Sequence, residues 1–194
     1  LQYLLMDDSL YELPGFESAK YVCAPPLRKK EDQDCLWKGL ADGTIQTVST
    51  DHCSFTTEQK KLGEGDFTKI PGGMPGAETR GTLIYTYGVD KGRITKEDMC
   101  RVLSENPAKL YGLYPRKGVI APGSDADLVI MRTGVEDVIT AKDQVQNVDY
   151  APFEGTKVTG RVESVFLRGL QAVKDGKVVE EKKGEFLKRG KYAL

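Results

Sequence analysis

Asp51 and His52 are the residues of this chain whose types could do chemistry together. They are adjacent in Val48-Ser49-Thr50-Asp51-His52-Cys53, and His52 is the one histidine in 194 residues. A carboxylate can ligate a hard cation and can carry a proton. On these two residues alone, a turn-forming aspartate beside a core histidine satisfied by the backbone is an equal reading. Their position weighs on the choice. The segment 43–48 has β-branched residues, a glycine at its entry and no proline, which predicts a buried strand over 44–50. Residues 54–76 are polar, glycine-rich and without periodicity. Asp51 therefore falls where a strand ends and a long loop begins, the place where α/β folds collect ligands and catalysis.

The neighbouring elements must position that pair. A helix is expected over 29–41, with Leu36, Trp37 and Leu40 on one face, acidic residues near its start and Gly43 just past its end. Upstream, 1–6 reads as the end of a strand, 7–9 as a polar turn, and 20–23 as a short strand stopped by Pro25-Pro26. Strand, loop, helix, strand is one step of a parallel sheet or barrel. Within the long loop, Asp66 to Gly76 holds two prolines and three glycines. Such a segment can bring bare backbone amides to a ligand, though composition alone favours a flexible surface loop.

Further along, 78–88 reads as a helix with Leu83, Ile84 and Tyr87 inward. A second helix follows with Thr95 as N-cap and Asp98 at the capping-box position. Asn106-Pro107 is expected to break it, and a short third helix covers 108–113. From Gly118 the period becomes strand-like. Strands are expected up to Met131, over 162–168 and over 172–179, the last folded at an Asp175-Gly176 turn. Residues 1–115 and 116–194 thus divide into an α/β part and a small β-domain. The basic tail 182–194 reads as solvated by default, with docking on a partner subunit as the sharper alternative.

Composition narrows the class. A formal charge of −1 offers no field for nucleic acid or a membrane surface. No apolar run approaches the roughly 20 residues that span a bilayer. Cys23, Cys35, Cys53 and Cys100 form no C-x-x-C pair, which argues for free thiols and a cytoplasmic setting. The opening 1–6 is short and lacks the basic start of a signal peptide. The chain has no initiator methionine, as a fragment would not.

Nearly the whole chain resembles the carboxyl-terminal portion of the dihydropyrimidinase/D-hydantoinase family of cyclic amidohydrolases. The resemblance is carried by Gln2-Tyr3-Leu4-Leu5, Tyr21-Val22-Cys23-Ala24-Pro25-Pro26-Leu27-Arg28 and Ser49-Thr50-Asp51-His52-Cys53-Ser54-Phe55. It continues through Asp66-Phe67-Thr68-Lys69-Ile70-Pro71, Asn106-Pro107-Ala108-Lys109, 118–130, Asn147-Val148-Asp149-Tyr150 and Phe186-Leu187-Lys188-Arg189. The Thr-Asp-His-Cys element followed by the Phe-Thr-Lys-Ile-Pro loop is the most specific part. The Ala-Asp-Leu-Val-Ile strand is common to many amidohydrolases and is weak alone.

The resemblance implies the last part of a (β/α)8 TIM-type barrel plus a small β-sandwich-like domain. It implies two zinc ions in the full-length enzyme, held by a His-x-His pair, a bridging carboxylated lysine and two further histidines, all from outside this chain. Asp51 is the one position that matches a metal ligand. It would also take the proton from a metal-bound hydroxide and pass it to the leaving ring nitrogen. His52 would support Asp51 from behind. The substrate's amide edge would be held by the backbone at Ala24 and Gly72, where relatives commonly carry Ser and Asn. The substrate would be a dihydropyrimidine or hydantoin, and the intact enzyme a homotetramer to which the basic tail contributes. With one good ligand, the isolated chain is expected to be inactive. Two alternatives stand beside this: a non-catalytic dihydropyrimidinase-like assembly protein, which retention of Asp51-His52 argues against, and a stable interaction module.

Overall fold

The computed structural model describes residues 1–179 and 184–193. The chain forms two compact units. One comprises Leu1–Gly39, Ser49–Arg80 and Val138–Lys157, and the other Leu40–Val48, Gly81–Asp137 and Val158–Leu194. The order of elements is α1 (Lys30–Ala41), α2 (Thr57–Lys60), α3 (Arg80–Ile84), α4 (Lys96–Cys100), α5 (Asn106–Leu110), β1 (Leu128–Val138), β2 (Lys157–Leu167), β3 (Leu170–Lys174) and β4 (Lys177–Val178), joined by short 3-10 and π turns. No helix among the described residues is long and apolar enough to cross a membrane.

In the first unit α1 forms where expected. Trp37 is buried and its indole N–H donates to the Leu4 carbonyl at 3.1 Å. The helix stops before Gly43, which takes φ +82°. The strands expected over 1–6 and 20–23 are not formed. Gln2–Leu4 and Glu17–Tyr21 are 3-10 turns instead, closed by local i to i+3 bonds that leave no ladder edge. Around 7–9 the turn is present, with the Asp7 carboxylate accepting from the Ser9 amide.

The second unit explains two further departures. Residues 96–110 are helical without a break, because the segment Arg101–Glu105 widens into a π turn before Pro107. A proline lacks an N–H and its ring would clash with a carbonyl four residues back, and a wider turn accommodates both. The Asn106 amide bonds back to the Arg101 carbonyl, and this frees the Val102 carbonyl. That carbonyl accepts from the Val48 amide at 3.1 Å. The Asn106 side-chain amide donates to the Gln46 carbonyl at 2.8 Å. These bonds to a helix replace the ladder expected for 44–50, which pairs with no strand among the described residues.

The β-part of the second unit is a four-stranded sheet in the order β1-β2-β3-β4, with β2–β3 and β3–β4 antiparallel. Asp175-Gly176 makes the expected turn, both at positive φ. Arg168-Gly169 makes a second turn of the same hand, between β2 and β3. The tail is not simply solvated. The Gly190 amide donates to Gly112 and the Ala193 amide to Lys109, although Phe186 and Tyr192 stay exposed. Lys182, Lys183 and Leu194 of that expected tail lie outside the described residues.

The capping box at Thr95 is complete, with the Thr95 hydroxyl accepting from the Asp98 amide and the Asp98 carboxylate from the Thr95 amide. The Arg101 guanidinium, then Thr95, hold the Asp98 carboxyl down at about 2 from an ordinary 3.8. Thr95→Ala should lower stability by about 1 kcal/mol, read as a shift of the urea midpoint followed by circular dichroism. Because the folded carboxylate is the stronger acid, its contribution is full above its ordinary value and is lost as pH falls through about 2. An unchanged midpoint, or a cap contribution that survives pH 2, would contradict this account.

Candidate active site

The expected site residues all fall in the first unit, on three segments cross-linked through their backbones. The Gly73 amide donates to the Val22 carbonyl at 2.9 Å, and the Cys53 amide donates to the Met74 carbonyl at 3.1 Å. His52 and Met74 form an isolated parallel bridge. The segments carrying Ala24, Gly72 and Asp51 are thus laced in the order 22–25, 71–74, 51–53.

Asp51 is exposed and has φ +49°. Arg168 and Asp175 share that value, but both occupy hairpin turns, where left-handed residues are required. Asp51 occupies no hairpin. Aspartate is among the residues that tolerate this region, at a cost that the surrounding structure must hold in place. Among the described residues no hydrogen bond to its carboxylate is found. Tyr3 lies near it. Burial raises the Tyr3 pKa, and the Cys23 thiol and then Asp51 add to the rise. The Tyr3 hydroxyl donates to the Pro25 carbonyl at 2.6 Å, and the Cys23 thiol reaches the same carbonyl at 3.3 Å.

His52 is exposed, and its Nδ1 accepts from the Gly76 amide at 3.0 Å and the Ala77 amide at 3.2 Å. An Nδ1 that accepts two bonds is unprotonated, so the proton of the neutral ring sits on Nε2. The imidazole therefore ties the end of the 51–53 segment to the loop that follows Met74. Ala24 and Gly72 are both exposed, as a backbone that meets a ligand must be. A Cβ on Gly72 would meet nothing within 4 Å, so a side chain has room there. Gly73 is the opposite case. It has φ +136°, and a Cβ there would lie 2.5 Å from the Cys53 Cβ.

The loop 54–76 is more ordered than its composition suggests. Thr56 and Gln59 form a capping box at the start of α2, and Asp66 caps the turn Phe67–Lys69. Thr56-x-x-Gln59 was a readable signal for the first of these. Three anchoring groups carry no such signal. Lys60 is buried, and its Nζ donates to the carbonyls of Val22, Pro71 and Gly73. Glu78 accepts from the amides of Val145 and Gln146, and Asp149 from that of Thr57. Lys60 in particular sits in Glu58-Gln59-Lys60-Lys61, which looks like an ordinary solvated run.

The model of the amidohydrolase family matches residues 13–179, and the chain belongs to that family. It is 50% identical over 193 residues to a D-hydantoinase of Geobacillus stearothermophilus, covering 98% of this chain and 41% of the relative. A D-hydantoinase of Ralstonia pickettii is 44% identical over 98% of the chain and 42% of its own length. Among solved structures, a dihydropyrimidinase from Brevibacillus agri superposes with a TM-score of 0.97 at 46% identity, over 100% of this chain and 42% of that one. An L-hydantoinase (dihydropyrimidinase) from Arthrobacter aurescens superposes at 0.85 with 36% identity, over 93% of this chain and 39% of that one. The chain thus spans about two fifths of the length of the relatives it matches.

The two adjacent glycines make a paired test. Gly73→Ala should lower stability by about 2 kcal/mol or more, and Gly72→Ala by about 0.5 kcal/mol or less, in chemical denaturation. Equal effects would contradict the close approach at Cys53.

Proposed function

We propose that this chain is the carboxyl-terminal part of a metal-dependent hydrolase that opens the cyclic amide ring of hydantoins or dihydropyrimidines. The observation that carries the reading is Asp51. Its exposed carboxylate is held on left-handed backbone beside the cross-linked segments of Ala24 and Gly72, in a chain 50% identical to a D-hydantoinase. In this reading residues 1–115 complete a (β/α)8 barrel, with 44–50 as its last strand. Residues 116–194 form the greater part of a β-sandwich-like domain.

The implied metal can be tested against the residues present. Among the described residues no three His, Cys, Asp or Glu side chains converge as a metal site. Three protein ligands are the rule for catalytic zinc, so Asp51 fits only as one ligand of a set completed outside this chain. When bound, such a metal pair lowers the pKa of a water toward neutrality. The chain's own residues do the rest of what is proposed. The Asp51 carboxylate takes the nucleophile's proton and delivers it to the leaving nitrogen. The backbone at Ala24 and Gly72 holds the amide edge of the substrate. His52, through Gly76 and Ala77, fixes the segment on which Asp51 sits. A homotetramer and a cytoplasmic location belong to the same proposal, the latter supported by four free cysteines.

In the full-length protein that carries this chain, Asp51→Asn should lower kcat/KM for hydantoin or dihydrouracil on the order of a thousandfold or more. The isolated 194-residue chain should hydrolyse neither. Activity retained by the Asn variant would overturn the role of Asp51, and turnover by the isolated chain would overturn the placement of its missing ligands.

A further inference from the structure

Lys60 is a buried charged group that the proposed chemistry does not use. The residue is 1% exposed. Its Nζ donates to three carbonyls, Pro71 at 2.7 Å, Gly73 at 2.8 Å and Val22 at 3.2 Å. The Phe55 ring lies 5.7 Å away. Burial pulls its pKa down to about 8, with the thiols of Cys23 and Cys53 pushing the other way. Among the described residues no carboxylate pairs with it.

A buried ammonium without a counter-charge is costly unless its donors are all met. Lysine has three N–H donors and no acceptor, and here each donor has one carbonyl. A plain staple between two loops would need only one such bond. The choice of carbonyls carries the inference. Pro71 and Gly73 flank Gly72 on both sides, and Val22 lies two residues before Ala24. In a trans peptide the C=O and the next N–H share one plane and point opposite ways. Pinning the Pro71 carbonyl therefore aims the Gly72 N–H away from the ammonium. Pinning Val22 does the same for the Cys23 N–H at the start of the Ala24 segment. The Gly73 amide returns the tie by donating to the same Val22 carbonyl.

We propose that Lys60 is a positioning residue that sets the direction of the backbone groups at Gly72, and anchors at Val22 the segment leading to Ala24, for the amide edge of a cyclic amide or ureide. This rests on the reading of Gly72 and Ala24 as substrate-holding backbone. Lys60 touches no substrate. It acts through peptide planes that a glycine-rich loop would otherwise leave free to rotate.

The test is steady-state kinetics on the full-length protein with hydantoin and with dihydrouracil, comparing wild type, Lys60→Gln and Lys60→Met. The expected result is a KM raised about tenfold in Lys60→Met with kcat within about threefold, and a smaller rise in Lys60→Gln, which keeps an N–H donor. A folded variant with unchanged KM, or with a loss confined to kcat, overturns the proposal. If neither variant folds, Lys60 is a structural staple and the proposal falls. If wild type turns over neither substrate, the functional reading itself has failed, an outcome separate from all the others.

Discussion

One ammonium group does the work of a strand ladder in the part of the molecule that carries the candidate site. The segments 22–25 and 71–74 have little regular structure, and two hydrogen-bond systems tie them to each other. One is the backbone tie from Gly73 to Val22, and the other is Lys60. A loop built from Pro71-Gly72-Gly73 has little side-chain mass with which to pack. Its geometry must come from what its carbonyls bond to. The polar interior this creates is satisfied donor by donor, and only such networks rigidify instead of destabilising.

From that clamp the order spreads toward Asp51. Gly73 can approach Cys53 because it has no Cβ, and this closeness lets Met74 pair with 52–53. His52 then closes the other side by accepting two amides beyond Pro75. Asp51 stands at the start of this laced segment in a backbone conformation that costs energy. The cost is tolerable because both sides of the loop are already fixed.

The sequence made some of this legible and hid the rest for identifiable reasons. The helix at Lys30–Ala41, the Thr95–Asp98 cap and the Asp175-Gly176 turn are local, and each was readable. The segment 44–50 pairs with no strand among the described residues, because β-branched residues report extended backbone and not its partner. Here the partners are the Val102 carbonyl in a π turn and the Asn106 side chain. The tail contacts at Lys109 and Gly112 are backbone bonds that side-chain types do not encode. Asp51 and His52 stand out by their types at the end of an extended segment, Ala24 and Gly72 only by motif resemblance, and the structure brings their segments together. Lys60 was missed because a lysine in Glu-Gln-Lys-Lys is almost always solvated.

Asp51 is proposed here as one ligand of a metal pair completed by residues outside this chain. Elemental analysis of the full-length protein and its Asp51→Ala variant tests it most directly. The account predicts about two zinc-like ions per chain in the wild type, fewer in the variant, and none retained by the isolated 194-residue chain. Equal metal content in wild type and variant, or a metal pair held by the isolated chain, would contradict it.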